Sequence, residues 1–222
     1  GTTRLHYAVK EGYDAAVHYF IKKGDPLDLK DKDGNTALHY ATDYGHTRLL
    51  CIVELLLSRG ADVFFRDENQ RTLLHCLVQK EGNSGAVIDK RIIELLLKKG
   101  VDIDAVDVNG ESALFIAIRN PFMTHTIDTL LSKGSNARLI NQKGQSPLVY
   151  AVDTDCCRIT PSLIRMNTLE INARDKFGCT ALHYAVSVGN VHIVRDLVRA
   201  KADPAITNNE GDTPLMIALK DG

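Results

Sequence analysis

Apolar residues along this chain fall in short bursts with a helical rhythm, and the bursts come in pairs. The first burst of a pair carries a leucine and, three positions on, a small residue, as in Leu38 and Ala41 or Leu182 and Ala185. That spacing puts both on one helix face. The second burst is more strongly apolar: IVELLL at 52–57, IIELLL at 92–97 and IVRDLV at 193–198. Gly12, Gly45, Gly82 and Gly189 follow the first helix of a pair, and Gly24, Gly60, Gly100 and Gly134 follow the second. Glycine suits the left-handed backbone that ends a helix. A polar stretch rich in Asp, Asn and Gly then leads to the next pair. The predicted unit is two antiparallel helices and a projecting turn.

The unit repeats. GNTALHYATDYG (34–45) returns as GCTALHYAVSVG (178–189) and as GTTRLHYAVKEG (1–12), with weaker copies starting at Thr72, Ser112, Ser146 and Thr213. Counted from Thr3, the intervals to the next Thr or Ser are 33, 36, 40, 34, 34 and 33 residues. Thr and Ser are good N-caps, because the side-chain oxygen accepts an orphan N–H of the first turn. Pro147 and Pro214 follow at the first helical position, where the missing N–H costs nothing. The middle is least regular: Gln70, Pro121, Asp155, Thr168 and Lys201 stand where a glycine is expected, and GNSG (82–85) is inserted.

TxLHxA at a period of about 33 is the signature of ankyrin repeats, and the whole chain resembles that family. The resemblance implies an all-α fold, an ankyrin-repeat solenoid of stacked helix–turn–helix units with projecting β-turn or hairpin loops. It divides residues 1–222, read as one domain, into repeats starting near Gly1, Gly34, Gln70, Gly110, Gly144, Gly178 and Gly211, the last being half a repeat. One such unit cannot bury its apolar stripe alone, so stability comes from the faces between neighbours. Leu38, Leu56 and Leu182 are expected in the core. Leu215, Ile217, Ala218 and Leu219 are expected to cover the sixth repeat.

Charge narrows the function. Twenty-seven basic residues against 28 acidic ones leave a net charge of -1, which argues against the clustered cations of a nucleic-acid footprint. No apolar run reaches the roughly 18 residues of a membrane span, and Arg4, His6, Lys10 and Glu11 interrupt any signal peptide. Five cysteines, an odd number without CxxC, read as reduced thiols of an intracellular, cytoplasmic protein, the nucleus being the alternative. The chain opens on Gly1 inside a repeat, which predicts a domain of a longer protein.

Several residues invite chemistry, and packing explains them better. His6, His39, His75 and His183 each sit three residues after a Thr. Helices stacked roughly 8–10 Å apart cannot bring such histidines onto one zinc, whose Zn–N bonds are about 2.0–2.1 Å. A Thr–His hydrogen bond that pins the first turn is the expected role. Cys156 and Cys157 have only Arg158 nearby to activate a thiolate. Tyr7, Tyr40, Tyr150 and Tyr184 share one repeat slot and are expected half-buried with surface hydroxyls. The Asp-rich stretches at 28–33 and 102–107 lack the Gly and final Glu of a calcium loop and serve turns. No phosphate loop, nucleophile elbow or HExxH occurs. The chain is therefore read as no enzyme, with no cofactor and no metal.

The resemblance implies a protein–protein interaction scaffold, with a protein or peptide partner docked on the concave side formed by turn tips and first-helix edges. The contact is expected to run from the second repeat to the sixth. Tyr44, Phe65, Arg66, Arg71, Ile140, Arg174 and Phe177 are the candidate contact residues, since aromatic and Arg side chains dominate interface hot spots. Val106, Val108, Ile140 and Phe177 put apolar side chains at exposed slots. The expected state is a monomer, with neither nucleic acid nor direct membrane insertion. The alternative is an intramolecular regulatory or substrate-recruiting arm of a larger protein, such as a GTPase-activating protein, ubiquitin-ligase adaptor or ion channel. Asn172, in LEINARD, matches the turn asparagine that intracellular asparaginyl hydroxylases modify in some ankyrin proteins, and is the candidate for hydroxylation.

Overall fold

The structure is a computed structural model, and it describes residues 1–43, 49–79, 90–120, 123–156, 158–165 and 170–221. Gly45, Gly82, the GNSG insertion, Pro121, Cys157 and Thr168 lie outside the described residues. Among those described, every regular element of more than one residue is an α-helix. The chain forms two compact units, Gly1–Val108 and Asn109–Gly222.

The first unit holds three helix pairs: α1 (Arg4–Lys10) with α2 (Asp14–Lys22), α3 (Ala37–Asp43) with α4 (Leu49–Ser58), and α5 (Leu73–Gln79) with α6 (Lys90–Lys98). The second holds α7 (Ala113–Ile118) with α8 (Thr124–Ser132), α9 (Pro147–Asp153) with α10 (Thr160–Ile164), α11 (Ala181–Ser187) with α12 (Val191–Arg199), and a single last helix α13 (Pro214–Asp221). Within the first unit α3 packs between α1 and α5; within the second, α9 lies between α7 and α11, and α11 between α9 and α13. Each first helix also packs on its own second helix. Leu38, Leu56 and Leu182 are all buried, as are Ala41 and Ala185.

The caps follow the repeat. Thr3 Oγ1 accepts the His6 N–H at 3.3 Å, while the Thr3 N–H donates to His6 Nδ1 at 3.0 Å. Thr36, Thr72 and Thr180 donate their backbone N–H to the matching histidines at 3.2, 3.1 and 3.0 Å. Since a backbone N–H can only donate, each Nδ1 accepts, and the ring proton sits on Nε2. From there His6 donates to the Asn35 carbonyl and His183 to the Asp212 carbonyl, each at 3.1 Å. These bonds tie α1 and α11 to the loop entering the next repeat, whereas His39 Nε2 is buried without a partner. Ser112 departs from the expected cap: it makes no capping bond and its hydroxyl is buried without a partner, whereas Ser146, also without a histidine three residues on, accepts the Val149 N–H at 3.3 Å. Gln70, Asp155 and Lys201 adopt φ of 60°, 52° and 67°, so the left-handed turn persists where glycine is missing.

The expected cover of the sixth repeat is only partly made. Pro214 is buried and Ile217 half-buried against the preceding repeat, but Ala218 is exposed and Leu215 and Leu219 are 66% and 76% exposed. In complete repeats that leucine lies between its own second helix and the neighbouring pairs; among the described residues no second helix follows α13.

Candidate functional site

The projecting turns are organised by one carboxylate or amide, five residues before each capping Thr or Ser. Asp31 Oδ1 accepts the N–H groups of Asp33 and Asn35 at 2.9 and 2.8 Å. Asp67 does the same for Asn69 and Arg71, Asn141 for Lys143 and Gln145, Asp175 for Phe177 and Cys179, and Asn208 for Glu210 and Asp212. The other oxygen of Asp31 and of Asp175 accepts a tyrosine hydroxyl, from Tyr40 and Tyr184, at 2.6 Å each. Arg71 takes that place on Asp67, through Nε at 2.7 Å. Burial alone would raise the Asp31 pKa, but the bonds from Tyr40, Asn35 and Asp33 outweigh it and hold the carboxyl below its ordinary value. In Tyr184 burial, the bond to Asp175 and that carboxylate's charge all push the phenol up. The hydroxyls of Tyr40 and Tyr184 are therefore engaged rather than idle at the surface, and Tyr150 likewise accepts Arg119 Nε at 2.7 Å; of the four tyrosines in this repeat slot, Tyr7 is the largely exposed one.

Successive turns touch. The Val108 N–H donates to the Asn69 carbonyl at 3.0 Å in the first unit. In the second, the Lys176 N–H donates to Lys143 O at 3.2 Å and the Asn209 N–H to Phe177 O at 2.9 Å. The approach needs glycine. A Cβ on Gly178 would lie 2.8 Å from the Asn209 backbone nitrogen, whereas one on Gly189, at nearly the same φ (75° against 73°), meets nothing within 4 Å. Gly178→Ala should therefore cost about 1–2 kcal/mol for the left-handed backbone and a further ~1–3 kcal/mol for the collision. Gly189→Ala should cost the first part alone, and urea midpoints of the two variants measure the difference.

The candidate contact residues divide sharply. Ile140 and Phe177 are 61% and 60% exposed, and Val106 and Val108 stand out at 40% and 49%. Arg66 and Arg174 are clips. Arg66 Nη1 donates to the carbonyls of Gln70 and Val106, and Arg174 donates through Nε to Gly178 O and through Nη2 to Thr207 O, at 2.9 to 3.1 Å. Each arginine thus staples its own turn to the next. Arg71 is committed to Asp67 and Gln79. Phe65 is half-buried, edge-on to His39 (centroids 6.1 Å apart) under the Lys30 ammonium, 4.1 Å from its ring centre. Its neighbour Phe64 is the exposed one, at 62%. Tyr44 lies outside the described residues. Asn172 is half-buried, its Oδ1 accepting the Asp203 N–H at 2.9 Å.

The turn carboxylates are the residues that sequence reasoning placed only in kind, and a signal was available. Asp or Asn recurs at 31, 67, 107, 141, 175 and 208 in step with the caps. Among the described residues no group of three or more His, Cys, Asp or Glu converges as metal ligands, and no helix is long and apolar enough to cross a membrane. Cys156 Sγ donates to the Ile118 carbonyl at 3.0 Å, and burial raises the Cys179 thiol, which keeps it protonated.

Helix pairs, Thr–His caps and stapled turns in register define a repeat scaffold, and the chain belongs to the ankyrin repeat family. The family model for ankyrin repeats matches residues 5–88, 84–175 and 155–222. The chain is 31% identical over 223 residues to the B-cell lymphoma 3 protein of Homo sapiens, covering 98% of this chain and 47% of that protein. It is 26% identical over 211 residues to the human neurogenic locus notch homolog protein 1, covering 94% of this chain and 6% of that one. The crystal structure of the ankyrin repeat domain of Bcl-3, described as a unique member of the IkappaB protein family, matches with a TM-score of 0.83 at 31% identity, covering 98% of this chain and 94% of that one. The chain thus spans about half the length of the first of these relatives and a small part of the second.

Proposed function

We infer that the chain is a non-catalytic docking module that binds a protein or peptide through its turn tips and the exposed edges of its first helices. One observation carries this reading. Buried Asp, His and Leu side chains meet the demands of the fold, while Ile140 and Phe177 stand about 60% exposed at tip positions the core does not use. Large apolar groups held on rigid, hydrogen-bonded turns lose little entropy on binding. Substituting Ile140 and Phe177 together with alanine should weaken binding of a captured partner by at least about 30-fold, equivalent to roughly 2 kcal/mol, with an unchanged melting temperature. Loss of binding only on changing second-helix surfaces would move the site elsewhere.

A second reading has its own support. The chain matches only 47% and 6% of two longer relatives, as an arm serving its own polypeptide would. In that case a protein extended beyond these residues should bind the same partner more weakly than residues 1–222 do. We also propose a monomer inside the cell, in cytoplasm or nucleus; its exposed free Cys51 fits a reducing compartment. Hydroxylation of Asn172 is proposed on its place in a projecting loop. An intact mass of cell-derived protein without an added oxygen would refute that modification.

A further inference from the structure

The turns of the fourth and fifth repeats differ from their neighbours in charge. Arg138 and Lys143 come from one turn and Arg174 and Lys176 from the next, all four exposed. Asn141 replaces the buried Asp of the first of these turns, and Asp175 in the second is spent on Tyr184 and two backbone N–H groups. Lys143 and Lys176 form no ion pair with the described residues, and their backbones meet at 3.2 Å. Beside them a groove of about 380 Å³ is lined by Arg138, Ile140 and Arg174, with Glu170 as its one acidic side chain. Phe177 lies three residues beyond Arg174 on the same turn.

Resting on the docking reading above, we propose that these two turns bind an extended peptide segment in which acidic residues alternate with aliphatic or aromatic ones. Ile140 and Phe177 take the apolar side chains, and Lys143 and Lys176 face the carboxylates. Charge complementarity selects this occupant over a basic or neutral one. The aliphatic anchor distinguishes it from a nucleic acid, whose bases would stack on aromatic faces and gain nothing from Ile140.

The test is selection of random peptides displayed on phage against residues 1–222. Selected peptides are then titrated against wild type, a Lys143→Glu/Lys176→Glu variant and an Ile140→Ser/Phe177→Ser variant. The expected result is enrichment of Asp or Glu together with Leu, Ile or Phe, binding that weakens as salt is raised, and at least a tenfold loss in both variants at unchanged melting temperature. A labelled 20-nucleotide single strand should not compete. Tip-dependent peptides that are basic or uncharged would overturn this proposal and leave the docking reading standing. Peptides indifferent to both variants would overturn the two together. Recovery of no peptide, or tip-dependent binding of the oligonucleotide, would also overturn it.

Discussion

Replacing Leu182 by alanine is expected to lower the unfolding free energy by about 2–5 kcal/mol, with Leu38→Ala in the same range. Leu182 is 2% exposed on α11, which packs against α9, α12 and α13 together. Walls on three sides cannot all move in, so the missing methyl groups leave a cavity as well as a lost transfer energy. Leu215 provides the control: it holds the same place in the repeat, two residues after its cap, yet is 66% exposed. Leu215→Ala should stay within about 0.5 kcal/mol of wild type. Denaturant midpoints for the pair, in one background, measure the contrast. Equal losses would mean that Leu215 is packed in solution.

Acid should destabilise the first unit well above the range where most carboxylates titrate. Burial pushes His39 and His75 down to about 4, against an ordinary value of 6.5. For His39, Asp67 and Asp31 oppose the shift while Arg71 and Lys30 add to it. Geometry points the same way, since a proton on Nδ1 would face the donating N–H of Thr36 or Thr72. His6 and His183 are lowered as well, with burial again the largest cause. Folded rings hold protons less tightly than unfolded ones, so unfolding takes up protons below pH 6.5. The contribution is therefore complete above pH 6.5, is lost progressively as pH falls towards about 4, and levels off below that. A displacement from 6.5 to about 4 corresponds to about 3 kcal/mol for each ring. Melting temperature should accordingly be flat near pH 7–8 and drop steeply through this window. Removing one ring, as in His39→Gln, should lower the proton uptake on acid unfolding by one. A flat profile through the window would show that these histidines are solvated.

Repeat phase, helix pairs, caps and buried leucines were legible because they depend on neighbours within one turn of helix. The persistence of the left-handed turn at Gln70, Asp155 and Lys201 was legible only as a departure from glycine. Other features depend on partners a repeat away. Arg66 finds the Val106 carbonyl 40 residues on, and Arg174 finds that of Thr207, 33 residues on. Nothing local distinguishes an arginine that clips two turns from one that awaits a partner. Phe64 and Phe65 are chemically identical neighbours, and it is Phe65 that packs against His39 and under Lys30. Leu215 obeys the repeat pattern, but no described helix packs over it.

The turn aspartates have an evolutionary consequence. Because Asp31, Asp67 and Asp175 hold their loops from within, through backbone N–H groups, the side chain that follows each of them does not shape the loop. Lys32, Glu68 and Lys176 occupy one such position in three turns with both signs of charge, and the backbone bonds beneath them are alike to 0.1 Å. Mutations there change what the surface recognises at almost no cost in folding. New specificities can therefore accumulate turn by turn, without the compensating substitutions that a binding site built into a core would demand.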